Sequence, residues 1–198
     1  MSLLVNAGCG PLGGARLPAM FKDWQQLRVD LDPSVQPDIV ASITDLSAIP
    51  SGCADALWSA HCVEHLYSHD VGRALNEFSR VLTDDGFACI IVPDLQAIAH
   101  YIATDKLHEV IYNSSAGPVT AHDMVYGFGT AIAQGRQDMA HRCGFTPTLM
   151  MQRLQETPFA EIILRRRSQA LELAAILRKR ASATDPEQRN ALLAALDL

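Results

Sequence analysis

Apolar residues along the first half of the chain fall into short runs, and the spacing inside the runs changes between two periods. Leu3-Leu4-Val5 reads as an opening strand, Arg28-Val29-Asp30 as a second, Asp38-Ile39-Val40-Ala41 as a third and Ala54 to Trp58 as a fourth. After Asp70, a natural N-cap, the residues Val71, Ala74, Leu75, Phe78, Val81 and Leu82 repeat at i, i+3, i+4 and i+7. That stripe is one apolar face of a helix laid on a sheet. Asp84-Asp85-Gly86 closes the helix, and Phe87 to Val92 is a continuous apolar run stopped by Pro93, the pattern of a buried fifth strand. Strands alternating with a helical stripe predict an α/β fold, a mainly parallel sheet with helices on both faces.

The second half is less regular. Leu95 to Thr104 reads as a helix, Asn113 to Pro118 as a loop, and His122 to Gln134 as a helix interrupted by Gly127 and Gly129. Thr146-Pro147 is a start signal for a helix through Glu156, with proline in its first turn. Ala160 to Arg167 fits a strand. Glu172 to Arg180 is rich in Ala, Leu, Glu, Lys and Arg, so local propensity alone favours a helix. Asp185-Pro186-Glu187 starts a last amphipathic helix with Leu192, Leu193 and Leu196 on one side. That helix is expected on the sheet edge or on a second copy of the chain, which makes a homodimer one of the expectations.

Composition narrows the class. A chain of 198 residues, 48% of them hydrophobic, can bury a real core as one domain. A formal charge of −6 argues against a nucleic-acid partner, which needs a basic face. No apolar run approaches a membrane span, and five cysteines without CxxC spacing predict reduced thiols and a cytoplasmic location. Cys62 and His65 have C-x-x-H spacing, but no second pair lies near in sequence, so no metal is expected.

The chemistry is concentrated where the first strand ends. Leu3-Leu4-Val5 runs into Gly8-Cys9-Gly10-Pro11-Leu12-Gly13-Gly14, and Asp30 follows Gly10 by 20 residues. A strand, a glycine turn and a later acid hold the ribose of a nucleoside-bearing cofactor in open α/β sheets. Asp32 is the alternative ribose ligand. Gly8, Gly10 and Gly13 satisfy GxGxxG, so a dinucleotide-dependent oxidoreductase must be weighed against other nucleoside cofactors.

The order of further elements decides between them. Val29-Asp30-Leu31-Asp32-Pro33, the fourth strand with Asp55, Val63-Glu64-His65-Leu66, Glu77-Phe78-Ser79-Arg80-Val81-Leu82 before Asp85-Gly86, and Val92-Pro93-Asp94 occur in sequence. Over residues 3 to 95 this resembles a class I S-adenosylmethionine-dependent methyltransferase of the type 11 kind. The resemblance implies a doubly wound, mainly parallel, seven-stranded Rossmann-like sheet with an antiparallel last strand, Ala160–Arg167 and Glu172–Arg180 being its last two strands. It implies one domain over residues 1–180, with a cofactor half to about 95, a substrate-covering half from 96, and a C-terminal helix in 181–198. S-adenosyl-L-methionine is the implied cofactor, held by Asn6, Ala7, Gly8, Cys9 and Gly10, by Asp30 and Leu31, by Ser42 and Ile43, and by Ala60 and His61. Two positions depart from the family, which commonly has an acid at Asn6 and Asp at Ser42. Those departures keep a non-catalytic binding protein among the readings.

The acceptor side is less specified. Tyr112, Asn113, Ser114, Ser115, His122, Asp123, Tyr126, His141 and Arg142 are polar groups placed to line a substrate wall beyond the strand ends. Ala116-Gly117-Pro118, Met139-Ala140-His141 and Gly144-Phe145-Thr146 resemble stretches of bacterial methyltransferases associated with surface polysaccharides. The expected acceptor is therefore O or N of a small molecule or a sugar or glycan precursor. His122 and His141 are the candidate bases. Glu64 and His65 are expected to be structural, and Arg165-Arg166-Arg167 an exposed strand end.

Overall fold

A computed structural model of the chain describes residues 1–12, 17–114, 116–180, 186–196 and 198. Gly13 and Gly14 of the glycine turn, Ser115 of the polar wall and Asp185 before the last helix lie outside the described residues. The strands are β1 (Leu3–Ala7), β2 (Gln25–Asp30), β3 (Ile39–Val40), β4 (Ala54–Ala60), β5 (Leu82–Pro93), β6 (Val110–Ser114), β7 (Gly117–Thr120), β8 (Glu161–Arg167) and β9 (Glu172–Arg178). The helices are α1 (Val71–Val81), α2 (Leu95–Ala103), α3 (Ala121–Tyr126), α4 (Gly129–Ala133), α5 (Pro147–Gln155) and α6 (Pro186–Ala195).

Seven strands form one sheet in the order β3-β2-β1-β4-β5-β9-β8. The first five run parallel, and β9 is antiparallel to both β5 and β8. Period-two alternation sends successive side chains to opposite faces. Val5, Leu57, Ala88, Ile90 and Ala175 join α1 and α5 in one core, through Ala74, Leu75, Phe78, Met150 and Leu154. Their neighbours Leu4, Trp58, Cys89, Ile91 and Ile176 meet Phe21, Leu193 and Leu196 on the other face. The last helix thus covers the sheet's face rather than its edge.

β9 is a strand against its own helical propensity. Its residues pair on both sides, Ile176 with Cys89 and with Ile163, and six of its seven residues are buried. Two ladders of hydrogen bonds and two buried faces outweigh a few tenths of a kcal/mol per residue of intrinsic preference.

Three local expectations are corrected. Asn113, Ser114, Gly117 and Pro118 are not a loop but parts of the β6–β7 hairpin, with Asn113 opposite Pro118 and Ser114 opposite Gly117. Ser114, Gly117 and Pro118, which suggested a loop, lie in its paired strands, and Pro118 is tolerated in a two-stranded ribbon where every strand is an edge. Asp70 stands at the N-cap of α1 but makes no side-chain cap bond. The helix ends at Val81, and Asp84-Asp85-Gly86 lies within β5.

Candidate functional site

The strand order reverses direction at β1, whose neighbours are β2 and β4. Ligands of open α/β sheets sit outside the carboxyl ends of the strands at that point. The chain leaving β1 turns back at once: the amides of Gly8 and Cys9 both donate to the Val29 carbonyl, at 2.9 and 3.1 Å. Gly8 has φ +75°, and a Cβ there would lie 2.4 Å from Cys62 Sγ. Glycine is required on both counts. Gly10 has φ +60°, a Cβ there would meet nothing within 4 Å, and its amide donates to Asp30 Oδ2 at 2.8 Å. Asp30 Oδ1 accepts from the Asp32 amide at 3.0 Å. Asp32 is engaged elsewhere, accepting from the Ser34 amide at 2.8 Å and lying 3.3 Å from Arg136 Nη2.

The other predicted cofactor residues surround this turn unevenly. Leu31 is 62% exposed, an apolar side chain left uncovered beside Asp30. Asn6 is half-buried in β1, in register with Arg28 and Trp58. Ala7 and Ile43 are buried in the core, so only their backbones are offered. Ser42 Oγ is 2.8 Å from Thr44 Oγ1 and accepts from the Thr44 amide at 3.2 Å, closing a local turn.

Past β4 the site becomes ionic. His61 follows Ala60 with φ +52° and donates its amide to the Ile91 carbonyl. Its Nε2 is 2.9 Å from Glu172 Oε1, whose partner oxygen accepts from Arg167 at 2.6 Å. Its Nδ1 is 3.5 Å from Glu64 Oε1, a charge contact rather than a hydrogen bond. Burial pulls the His61 imidazole down, but the two carboxylates outweigh it and push its pKa up to about 10. Glu64 itself is 1% exposed; burial works against its charge, and the nearby imidazoles, His61 first, hold it below the ordinary carboxylate range.

His65 and His141 complete the group. Their rings meet edge to face at 4.8 Å between centroids. His65 Nδ1 is 3.2 Å from the Ala140 carbonyl, and His141 Nδ1 is 3.1 Å from the Met124 carbonyl. The amides of Arg142 and Cys143 donate to the Glu64 carbonyl at 2.9 and 3.1 Å, which seats residues 140–143 on the turn after β4. Burial lowers the His141 pKa, leaving a neutral ring at pH 7. His61, His65 and His141 line a cavity of about 210 Å³ with Tyr112, Ser114, Val119, Met124 and Phe128. Burial, with the charges of Glu172 and Glu64, pushes the Tyr112 phenol up to about 12, so it remains a donor.

A family model described as a methyltransferase domain matches residues 5–90. The fold matches a SAM-dependent methyltransferase from Archaeoglobus fulgidus, TM-score 0.57 at 11% identity, over 90% of this chain and 86% of that one. It matches a Pyrococcus horikoshii protein, TM-score 0.61 at 12% identity, over 90% and 82%. It also matches the 1,6-didemethyltoxoflavin N1-methyltransferase of Burkholderia thailandensis with bound S-adenosylhomocysteine, TM-score 0.52 at 17% identity, over 91% and 72%. No curated protein matches by sequence. The fold is thus that of S-adenosylmethionine-dependent methyltransferases, and residues 5–90 carry the family's domain match.

The residues around the β1 turn fit S-adenosyl-L-methionine as cofactor. Open space at Gly10, a carboxylate with lone pairs to spare at Asp30, and the uncovered Leu31 are what a ribose and an adenine require. Of the polar wall, Tyr112, Ser114, Asp123 and His141 reach the cavity. His122 does not; it stacks on His108 at 5.4 Å and leans on Tyr126 at 4.9 Å. Arg165 and Arg166 are exposed at the strand end, as expected, while Arg166 and Arg167 pair with Asp94 and Glu172. Glu172 escaped sequence reading, although an acid heading the apolar run Leu173–Leu177 was the available signal.

Proposed function

We propose that the chain is an S-adenosylmethionine-dependent methyltransferase that moves the methyl group to oxygen or nitrogen of a small molecule or a sugar or glycan precursor bound in the cavity beside His61. The cavity itself carries this reading: it opens where β4 and β5 end, at His61 and Pro93, and its lining is mainly apolar with a few convergent polar groups. Gly8, Cys9 and Gly10 hold the cofactor's methionine and ribose with Asn6 and Ala7. Asp30 takes the ribose hydroxyls, Leu31 covers adenine, Ser42 and Ile43 edge it, and Ala60 and His61 flank the reacting end. The bound cofactor supplies an activated methyl on a sulfonium, so the protein's own task is proximity, orientation and exclusion of water.

Cap residues do that work. Tyr112 and Ser114 offer hydroxyls to the acceptor, and Val119, Met124 and Phe128 keep water out. His141 rather than His122 is the histidine that can act on an acceptor proton. A dinucleotide needs a helix N-terminus after the glycine turn for its pyrophosphate. Among the described residues before β2, the only helix is the single turn Ala19–Phe21. The free cysteines Cys9, Cys53, Cys62, Cys89 and Cys143 fit a reducing, cytoplasmic setting.

Titration calorimetry with S-adenosylhomocysteine and NAD tests the reading. The first is expected to bind and the second not. Asp30→Ala should weaken the first by about 2–4 kcal/mol, since two hydrogen bonds to a charged acceptor go. Unchanged affinity in Asp30→Ala, with a large loss in Asp32→Ala, would move the ribose to Asp32.

A further inference from the structure

Beneath the cavity, Glu64, His65 and His141 each present one ligand-capable atom, and the three atoms lie within 4.8 Å of one another. Both carboxylate oxygens of Glu64 are buried without a hydrogen-bond donor. A buried carboxylate without donors is costly, and the histidines around it supply charge contacts but no hydrogen bond. The histidines are set in the way metal-binding histidines are. His65 and His141 each have Nδ1 against a backbone carbonyl, which fixes the tautomer and frees Nε2. His141 Nε2 is 3.9 Å from Glu64 Oε1. Donors around one tetrahedral ion at about 2.1 Å stand about 3.4 Å apart, so a small closure brings them to bonding distance. His61 is held the same way from the other side: Nε2 is fixed by Glu172, and Nδ1 stands 3.5 Å from Glu64.

We propose that Glu64, His65 and His141, with His61 as a fourth donor, bind one divalent first-row transition ion of the zinc type. Imidazole-rich donor sets select such ions over magnesium and calcium, which take all-oxygen shells. His61, His65 and His141 also face the cavity, so the ion keeps a position open to an acceptor. There it binds a hydroxyl oxygen. The O–H proton leaves to water, the oxygen pair forms the new bond to the methyl carbon, and the carbon–sulfur pair stays on sulfur. The acceptor class narrows to alcohols or phenols, and His141 is then a ligand instead of a base. This acceptor role rests on the methyl-transfer reading; the ion site does not.

The test uses the full chain, stripped with chelator and titrated with Zn²⁺ by calorimetry and with Co²⁺ by visible absorption. One ion per chain is expected, with the cobalt bands of nitrogen and oxygen ligands. Glu64→Gln and His141→Gln should each weaken Zn²⁺ by roughly 100-fold or more, beyond the effect of losing an outer-shell partner. His69→Ala, at an exposed position, should not. The wild-type cobalt spectrum needs no variant, so it stands even where Glu64→Gln fails to fold. Absence of stoichiometric binding overturns the site. An intense thiolate-to-cobalt band, which would move the ion to Cys62 or Cys143, overturns it as well, as does magnesium binding in preference to zinc. Unchanged zinc affinity in folded His141→Gln does the same. A chain that binds zinc but not S-adenosylhomocysteine supports the ion site and overturns the methyl-transfer reading.

Discussion

The cofactor side and the cap side of this site are built from different materials. Around β1 and β2 the geometry is made by backbone: two amides on the Val29 carbonyl, positive φ at Gly8 and Gly10, and one carboxylate that ties the turn to the strand end. Across the cavity it is made by side chains, the buried Glu64 and the more open His61, His65 and His141, the histidines held by carbonyls of the cap and by Glu172. The first kind recognises a fixed, common ligand and depends on residues close in sequence. The second depends on pieces distant in the chain, brought together only by folding. A defect on the cofactor side should therefore act on the whole sheet, and one on the cap side should stay in the cap.

The sharpest way to break that contrast is Gly8→Ala. The added methyl meets Cys62 Sγ at 2.4 Å and Cys62 Cβ at 2.6 Å, at a backbone angle alanine rarely adopts. Strain and overpacking together predict a loss of about 3 kcal/mol or more in global stability. Denaturant unfolding should show the loss, and binding of S-adenosylhomocysteine should fall with it. A stable Gly8→Ala that still binds would mean the turn is far more compliant than its geometry implies.

Asp123→Ala probes the other side. The Asp123 carboxylate accepts from the Thr120 amide at 2.9 Å, the Thr120 hydroxyl at 2.6 Å and the Gly129 amide at 2.9 Å, joining α3 to α4. Its loss should cost about 2 kcal/mol, confined to the cap. Amide hydrogen exchange should speed up across α2 to α4 while β1, β4, β5 and β9 keep their protection. Burial works against the Asp123 charge, but the bonds from Thr120 and Gly129 hold its pKa below the ordinary value. The wild-type contribution is therefore complete above the unfolded carboxylate pKa and is lost as pH falls through the folded one. The wild-type and variant exchange rates should converge in that acid window. Uniform destabilisation of the sheet would erase the distinction between the two sides.

What could be read in advance follows the same division. Gly8, Gly10 and Asp30 were legible because 20 residues of spacing and a strand on each side carry the signal. α1 was legible from Val71, Ala74, Leu75 and Phe78, all on one buried stripe. β9 was legible only by resemblance, since its composition favours helix and its partners Phe87–Pro93 and Glu161–Arg167 decide otherwise. The Glu64–His65–His141 group was not legible: C-x-x-H spacing drew attention to Cys62, whereas the partner of His65 lies in the cap. The hairpin of β6 and β7 was hidden by Ser114, Gly117 and Pro118, turn-forming residue types that here sit in paired strands.

The smallest expected effect comes from Asn6, where the cofactor side departs most clearly from the pattern of the family it resembles. Asn6→Asp places a carboxylate at a half-buried position in β1, at the reversal of strand order. If Asn6 faces the cofactor's amino group, a charge-assisted bond replaces a neutral one. Desolvation of the new carboxylate offsets part of the gain. A net improvement of about 1 kcal/mol for S-adenosylmethionine is expected from these opposing effects. Calorimetry should show that gain and none for NAD. No gain for S-adenosylmethionine, or an equal gain for NAD, would mean that the side chain at position 6 does not meet the methionine end. Recognition on the cofactor side would then rest on backbone and Asp30 alone, and the contrast with the ionic cap side would be sharper still.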